Sequence, residues 1–147
     1  MGIFDGIAKL SGESLRRKTT ANQEQKIDPQ TKQWLDGLRQ RAQNGDVNAM
    51  FELGGCYYHG KYIAYDPDQA CQWWTEAANR GHISAQYNLG LLYHGDVSSY
   101  YYDENLAGYW FNMAAYNGDQ EAYKMLQHYT STASLERNGL GDKIALL

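Results

Sequence analysis

Apolar and small residues recur every three or four positions along most of this 147-residue chain. In one segment Ala49, Leu53 and Tyr57 are spaced four residues apart, which places all three on one face of a helix. In the segment that follows, Trp73 and Ala77 have the same spacing. The pattern therefore predicts an all-α chain built from pairs of helices, each with one apolar face.

The helix pair occurs twice. First helices align at an offset of 36 residues, as from Leu53 to Leu89, and second helices align at an offset of 37, as from Trp73 to Trp110. The residues that recur in the first helices are Gly45, Ala49, Leu53, Gly54 and Tyr57, matched by Gly81, Ala85, Leu89, Gly90 and Tyr93. Those that recur in the second helices are Asp66, Ala70, Trp73, Ala77, Ala78 and Gly81, matched by Asp103, Ala107, Trp110, Ala114, Ala115 and Gly118. One extra residue thus lies in the loop of the second pair.

Capping residues mark where these helices begin and end. Aspartate accepts hydrogen bonds from the free N–H groups of a first helical turn, and glycine adopts the left-handed conformation that ends many helices. The aspartates predicted to begin helices are Asp28, Asp46, Asp66, Asp103 and Asp119. The glycines predicted to end them are Gly45, Gly81 and Gly118. Gly54 and Gly90 are predicted to let neighbouring helices approach closely, with Trp73 and Trp110 filling the space between successive pairs.

Together these residues follow the pattern A-x3-L-G-x2-Y, then a loop, then D-x3-A-x2-W-x3-A-A-x2-G, which resembles the Sel1-like repeat, a relative of the tetratricopeptide repeat. The resemblance implies a right-handed α-solenoid of antiparallel helix pairs. We assign full repeats to residues 45–81 and 82–118, within a solenoid over 28–139 that has partial capping units on either side. Residues 1–27 form an N-terminal segment that is docked or flexible, and 140–147 form a C-terminal tail.

Composition and charge exclude several function classes. The formal net charge is −4, and basic residues are concentrated before the repeats, so nucleic acid is not predicted as a partner. The mean hydropathy is −0.68, and no apolar run reaches the roughly 18–20 residues that a membrane span needs. Residues 1–18 lack the order of basic and apolar regions typical of a secretory signal, so we expect a cytoplasmic protein. Cys56 and Cys71 are interpreted as buried free thiols.

No sequence motif for catalysis is present. We find no nucleophile, metalloprotease, phosphate-binding or dinucleotide-binding motif, and the capping aspartates already have structural roles. The four histidines are distributed over different repeats, and no third ligand accompanies His94 and His128. We therefore predict no enzyme activity, no metal and no cofactor.

Without catalytic motifs, the predicted function is binding through the protein surface. The first helices of stacked pairs line the concave side of a solenoid, so these helices are predicted to contact a partner. Opposite their packed positions, these helices carry aromatic and hydrogen-bonding residues, and tyrosine is common in protein interfaces. The residues predicted to bind a partner are Asn48, Phe51, Tyr58, Ser84, Tyr87, His94, Tyr100, Tyr101, Tyr102, Lys124 and His128. The face also includes Gly55, Leu91 and Glu121. The alternative is that several of these aromatics pack against flanking segments.

The family resemblance implies a non-enzymatic adaptor or scaffold of bacterial type. An immunity or inhibitor protein that masks a bacterial effector fits the same resemblance, and the acidic surface favours a basic protein partner. An alternative is a module that binds glycan or peptidoglycan fragments by stacking on the aromatic strip. Weak self-association through the tyrosine loop is a competing explanation for the exposed rings.

Overall fold

The computed structural model describes residues 27–95 and 101–129, and all regular structure in these residues is α-helical. The helices are α1 (Pro29–Gln43), α2 (Val47–His59), α3 (Pro67–Asn79), α4 (Ile83–His94), α5 (Glu104–Tyr116) and α6 (Gln120–Tyr129). Within the described residues, no helix is both long enough and apolar enough to cross a membrane. The predictions for the N-terminal segment up to residue 26, for Tyr100, and for the segment after residue 129 lie outside the described residues.

The chain divides into two compact units, one up to Trp73 and one from Trp74 onward. In the first unit α1 packs against α2, and in the second α5 packs against both α4 and α6. All of the alanines at the recurring positions are almost completely buried. The larger fully buried side chains include Leu35, Leu38, Leu53, Ile63, Leu89, Leu92 and Phe111.

The turn between successive helix pairs has the same hydrogen bonds at three places. In the first, the Gly45 N–H donates to the Ala42 carbonyl (3.1 Å) and the Asp46 N–H donates to the Arg41 carbonyl (3.0 Å), which is the Schellman arrangement. The equivalent bonds recur at Gly81 with His82, and at Gly118 with Asp119. All three glycines have positive φ, from 89° to 102°. The predicted helix-ending glycines are confirmed.

The residue after each of these glycines also begins the next helix. The carboxylates of Asp46 and Asp119 accept from the N–H groups of Ala49 (3.1 Å) and Ala122 (2.8 Å). At the middle turn a histidine performs this role, because Nδ1 of His82 accepts from the Ala85 N–H at 3.2 Å. One residue thus ends one helix and caps the next, so the turn needs no further linker.

The loops inside the two repeats differ in length but close in the same way. The Asp66 N–H donates to the Tyr57 carbonyl in the first repeat, and the Asp103 N–H donates to the Tyr93 carbonyl in the second, both at 2.9 Å. Both aspartates then cap the second helix of their repeat. The extra residue of the second loop is therefore accommodated between two fixed ends. The predicted aspartate caps are confirmed at all five positions, including Asp28 on α1.

Candidate functional site

In the first unit, one face of α2 is only partly covered. Asn48 is exposed and Phe51, Gly55 and Tyr58 are half-buried. The opposite face is closed, because Ala49 and Leu53 are buried. The prediction that these residues face away from the packed side of α2 agrees with their exposure.

Gly55 lies in the middle of this open face. It is neighboured on the helix surface by Phe51, four residues earlier, and by Tyr58, three residues later. A Cβ built on Gly55 has no atom of the described structure within 4 Å, so no packing contact there requires a glycine. The ring of Tyr58 contacts the ring of His59 edge to face, with centroids 5.0 Å apart. The helix thus has two aromatic residues with a shallow gap between them.

In the second unit, the corresponding face of α4 rests on a buried ring of α5. Ser84 is exposed, and Tyr87 and His94 are half-buried. The ring centroid of Phe111 lies 5.8 Å from that of Tyr87 and 6.4 Å from that of His94. Because Phe111 itself is fully buried, it supports the two outer rings from beneath. The predicted residues Tyr87 and His94 are therefore part of one aromatic cluster.

Helix α6 adds a charged pair beside this cluster. The Lys124 ammonium donates to the Glu121 carboxylate at 2.7 Å. This hydrogen bond raises the pKa of Lys124, and Tyr87 makes a smaller electrostatic contribution in the same direction. Lys124 and Tyr87 therefore interact electrostatically, and the role of Lys124 in binding a partner stays a prediction. The side chain of His128 lies outside the described residues.

The tyrosine loop is partly described. Tyr102 is the most exposed large hydrophobic residue of the described chain, at 59%, and Tyr101 is half-buried. Tyr102 Cδ2 would lie 3.1 Å from a Cβ on Gly95, the left-handed residue that ends α4. In the first repeat Tyr65 also lies close to a left-handed glycine, Gly60, but there the backbone N and the Cβ of Tyr65 make the approach, not its ring. The ring of Tyr102 therefore covers a helix end while one side stays open to solvent.

A second exposed aromatic group lies in the first unit, at residues that the sequence pattern does not predict to bind a partner. Trp34 of α1 contacts Tyr62 of the following loop edge to face, with ring centroids 5.7 Å apart and planes at 74°. Nζ of Lys61 lies 5.1 Å from the Tyr62 ring centroid. No spacing rule joins these residues, since the contact depends on how the loop folds. The sequence feature that could have indicated this aromatic group is Gly37, a glycine within α1 three residues after Trp34.

The remaining reactive groups are inaccessible or dispersed. Cys56 and Cys71 are buried free thiols. Burial raises the pKa of the Cys56 thiol, so it is kept in its unreactive protonated form. The described residues contain no group of three or more His, Cys, Asp or Glu side chains arranged to hold a metal ion.

Comparison with known proteins identifies the repeat. Residues 47–82 and 83–119 each match the family model of the Sel1 repeat. The crystal structure of a Sel1 repeat protein from Oxalobacter formigenes is similar over 67% of this chain and 74% of its own, with 35% sequence identity and a TM-score of 0.58.

Two curated proteins are also similar in sequence. The uncharacterized protein YibG of Escherichia coli K12 is 29% identical over 102 residues, which cover 68% of this chain and 65% of that protein. The chitin synthase regulator SKT5 of Saccharomyces cerevisiae is 38% identical over 93 residues, which cover 60% of this chain and 13% of that protein. The aligned region thus spans less than two thirds of either relative.

These matches agree with the helix pairs and with the repeated turns described above. The repeat boundaries of the family model differ by one or two residues from those that the sequence pattern predicts. The predicted all-α helical-repeat fold, of the solenoid class, is confirmed. This chain belongs to the Sel1 repeat family.

Proposed function

We propose that this protein is a non-enzymatic adaptor or scaffold that binds another protein through the open faces of α2 and α4 and through the tyrosine loop. Sel1 repeat proteins generally mediate protein–protein interactions. The proposal assigns that role here to the residues predicted from the sequence, namely Asn48, Phe51, Tyr58, Ser84, Tyr87, His94, Tyr100, Tyr101, Tyr102, Lys124 and His128.

The strongest support for the proposal is the presence of a glycine, Gly55, inside helix α2. A glycine inside a helix costs about 1 kcal/mol relative to alanine, and the space beside Gly55 is open in the described structure. Stability therefore favours a larger residue. A partner backbone or side chain that enters the gap between Phe51 and Tyr58 would account for the glycine, because any Cβ would hold that partner away.

The aromatic cluster of the second unit supports the same role. Tyr87 and His94 are held from below by Phe111, so little side-chain entropy is left to lose when a partner covers them. Tyrosine combines a large apolar ring with a hydroxyl that forms hydrogen bonds, which suits a surface that is alternately wet and covered. The Lys124–Glu121 pair adds charges that interact with Tyr87 of this cluster.

The net charge of −4 favours a basic partner. An immunity or inhibitor protein that masks a basic effector has these properties, and this is the specific role that we propose. The yeast relative is named a regulator of chitin synthase. Action on an enzyme, rather than catalysis, is the kind of role that we propose for this chain.

The test uses Gly55→Leu, which installs the residue that the second repeat has at the equivalent position, Leu91. Tagged wild-type protein, Gly55→Leu, Tyr102→Ser and the control Gln72→Ser are used to capture proteins from a lysate of the source organism. Any captured protein is then purified, and its binding to each variant is measured by calorimetry. We expect a one-to-one complex with wild type and control, and at least tenfold weaker binding to Gly55→Leu.

Equal binding to all four proteins would contradict the assignment of the site. A parallel titration with purified peptidoglycan fragments and chitooligosaccharides tests the alternative function. Saturable binding of a sugar in the absence of any protein, blocked by Gly55→Leu, would replace the proposal with glycan binding.

A further inference from the structure

The Trp34–Tyr62 contact leaves a large aromatic surface open. Trp34 is 42% exposed and Tyr62 is 37% exposed, although both residues belong to types that are usually well covered. Their planes meet at 74°, so the two rings form a corner rather than a stack. None of these atoms belongs to the surface proposed above on α2, α4 and the tyrosine loop.

The backbone conformation that places Tyr62 against Trp34 is energetically unfavourable. Its φ is +68°, the only positive value among the described residues other than glycine. The next residue, Ile63, is fully buried and anchors the loop. A bulky residue in the left-handed region is strained, and such strain is concentrated at sites that bind ligands. The fold therefore maintains an unfavourable conformation that directs an aromatic ring against Trp34.

Gly37 is a second, independent feature of this corner. It lies within α1, one helical turn after Trp34, and a Cβ built on it has no described atom within 4 Å. As with Gly55, helix stability favours a larger residue here. A glycine beside an exposed tryptophan leaves the helix surface low enough for a second chain to lie along it.

Lys61 gives the corner its charge. Its Nζ lies 5.1 Å from the Tyr62 ring centroid, and among the described residues it forms no ion pair. The other basic residues of this unit that form ion pairs, Arg39 and Arg41, already contact Asp36, Asp46 and Glu52. The charge available to a ligand at this corner is therefore positive.

We propose that Trp34, Tyr62, Lys61 and Gly37 form a binding site for an extended, proline-containing segment of a partner protein that carries an acidic residue. Extended polyproline II segments have no internal hydrogen bonds, and they bind in grooves lined by aromatic rings. In the proposed complex, a proline ring packs in the corner between Trp34 and Tyr62, and the indole N–H of Trp34 donates to a peptide carbonyl. The acidic residue pairs with Lys61.

A saccharide is less favoured, because its many hydroxyl groups each need a polar partner. Trp34, Tyr62 and Lys61 together supply one indole N–H, one hydroxyl and one ammonium group, which is fewer than a saccharide needs. Polyproline segments lose little conformational entropy on binding, so a small site of this kind is sufficient.

The test follows the indole N–H signal of Trp34 in the ¹⁵N-labelled full chain, assigned with Trp34→Phe. The probes are the synthetic peptides (Pro-Pro-Glu)4, (Pro-Pro-Lys)4 and (Gly-Ser-Glu)4, with chitohexaose titrated in parallel. We expect a saturable shift with (Pro-Pro-Glu)4, and binding about tenfold weaker for the lysine peptide because its charge repels Lys61. The glycine–serine peptide and the sugar should leave the signal unchanged.

Two variants distinguish binding from folding. Tyr62→Gly removes the ring and the backbone strain together, so it should raise the urea midpoint while abolishing the shift. Tyr123→Ser, at an exposed tyrosine of α6, should leave peptide binding unchanged. The proposal is overturned if (Pro-Pro-Glu)4 produces no shift, if Tyr62→Gly binds like wild type, or if chitohexaose produces the shift instead. Slow solvent exchange of the Trp34 indole in the free chain would also overturn it, since another part of the chain would then cover the corner.

Discussion

The ring of Phe111 lies against Gly90 so closely that a Cβ on Gly90 would be 2.5 Å from ring carbons Cδ1 and Cε1. The contact joins α4 to α5 at the centre of the second unit. It also places Phe111 beneath Tyr87 and His94, which precede and follow Gly90 on the same helix. A single missing side chain thus sets the position of the aromatic cluster.

Gly90→Ala should therefore destabilise the protein. Overpacking a buried contact costs about 1–3 kcal/mol, which exceeds the gain of about 1 kcal/mol in helix propensity. Gly55→Ala is the matched control, because the same change in open space should stabilise by about 0.5–1 kcal/mol. Urea denaturation measures both. A gain of stability in Gly90→Ala would mean that Phe111 moves away at no cost.

His82 should make stability depend on pH. Its Nδ1 must be unprotonated to accept the Ala85 N–H, and burial lowers the pKa of the imidazole below its usual value of 6.5. The unfolded chain therefore binds a proton more readily than the folded chain. The stabilisation by this cap should be complete above about pH 6.5 and be lost as the pH falls through the lowered value.

His82→Asp converts this cap to the residue found at the other two turns. A carboxylate remains an acceptor at pH 5–6 and interacts favourably with a helix N-terminus, so the variant should be about 1 kcal/mol more stable than wild type at that pH. Urea midpoints measured between pH 5 and 8 test this. His59→Gln, at an exposed position, should reproduce the wild-type profile. A constant difference between His82→Asp and wild type across this range would contradict the role of protonation.

Gln86 is a buried polar residue whose hydrogen bonds hold two turns together. Its Nε2 donates to the Ala78 carbonyl at 3.1 Å, and its Oε1 accepts from Nδ2 of Asn117 at 3.0 Å. Gln86→Met keeps the volume but removes both bonds, and we expect a loss of about 1–3 kcal/mol in the free energy of unfolding. Gln72→Met, on the exposed surface of α3, should change it by less than about 0.5 kcal/mol. Equal effects would show that Gln86 contributes only its volume.

Asn112 is also a buried polar residue, but unlike Gln86 its side chain lacks hydrogen bonds within the described residues. It is fully buried, and neither amide atom has a hydrogen-bond partner among the described residues. Replacing an unsatisfied buried amide by an apolar group of similar shape removes its desolvation cost. Asn112→Leu should therefore raise the free energy of unfolding by about 1–2 kcal/mol. The control is Asn79→Leu at an exposed position of α3. Destabilisation by Asn112→Leu would mean that the amide has a polar partner in solution.

Local sequence signals were sufficient for the helix boundaries and for the repeat. Aspartate caps, left-handed glycines and the spacing of alanines act over one or two helical turns, so they can be recognised without knowledge of the fold. The cap at His82 was not predicted from the sequence; a histidine stands there where the other two turns have aspartate, and a neutral imidazole nitrogen accepts the same bond.

The sequence by itself determined the all-α repeat and its register, because these depend on residues close together in the chain. Only the tertiary structure decided that Phe111, rather than the recurring Trp110, fills the space at Gly90. It also decided that Trp34 and Tyr62 meet, through a left-handed tyrosine that no composition rule favours. Such contacts join residues that are distant along the chain, and their geometry depends on the packing of whole helices and loops.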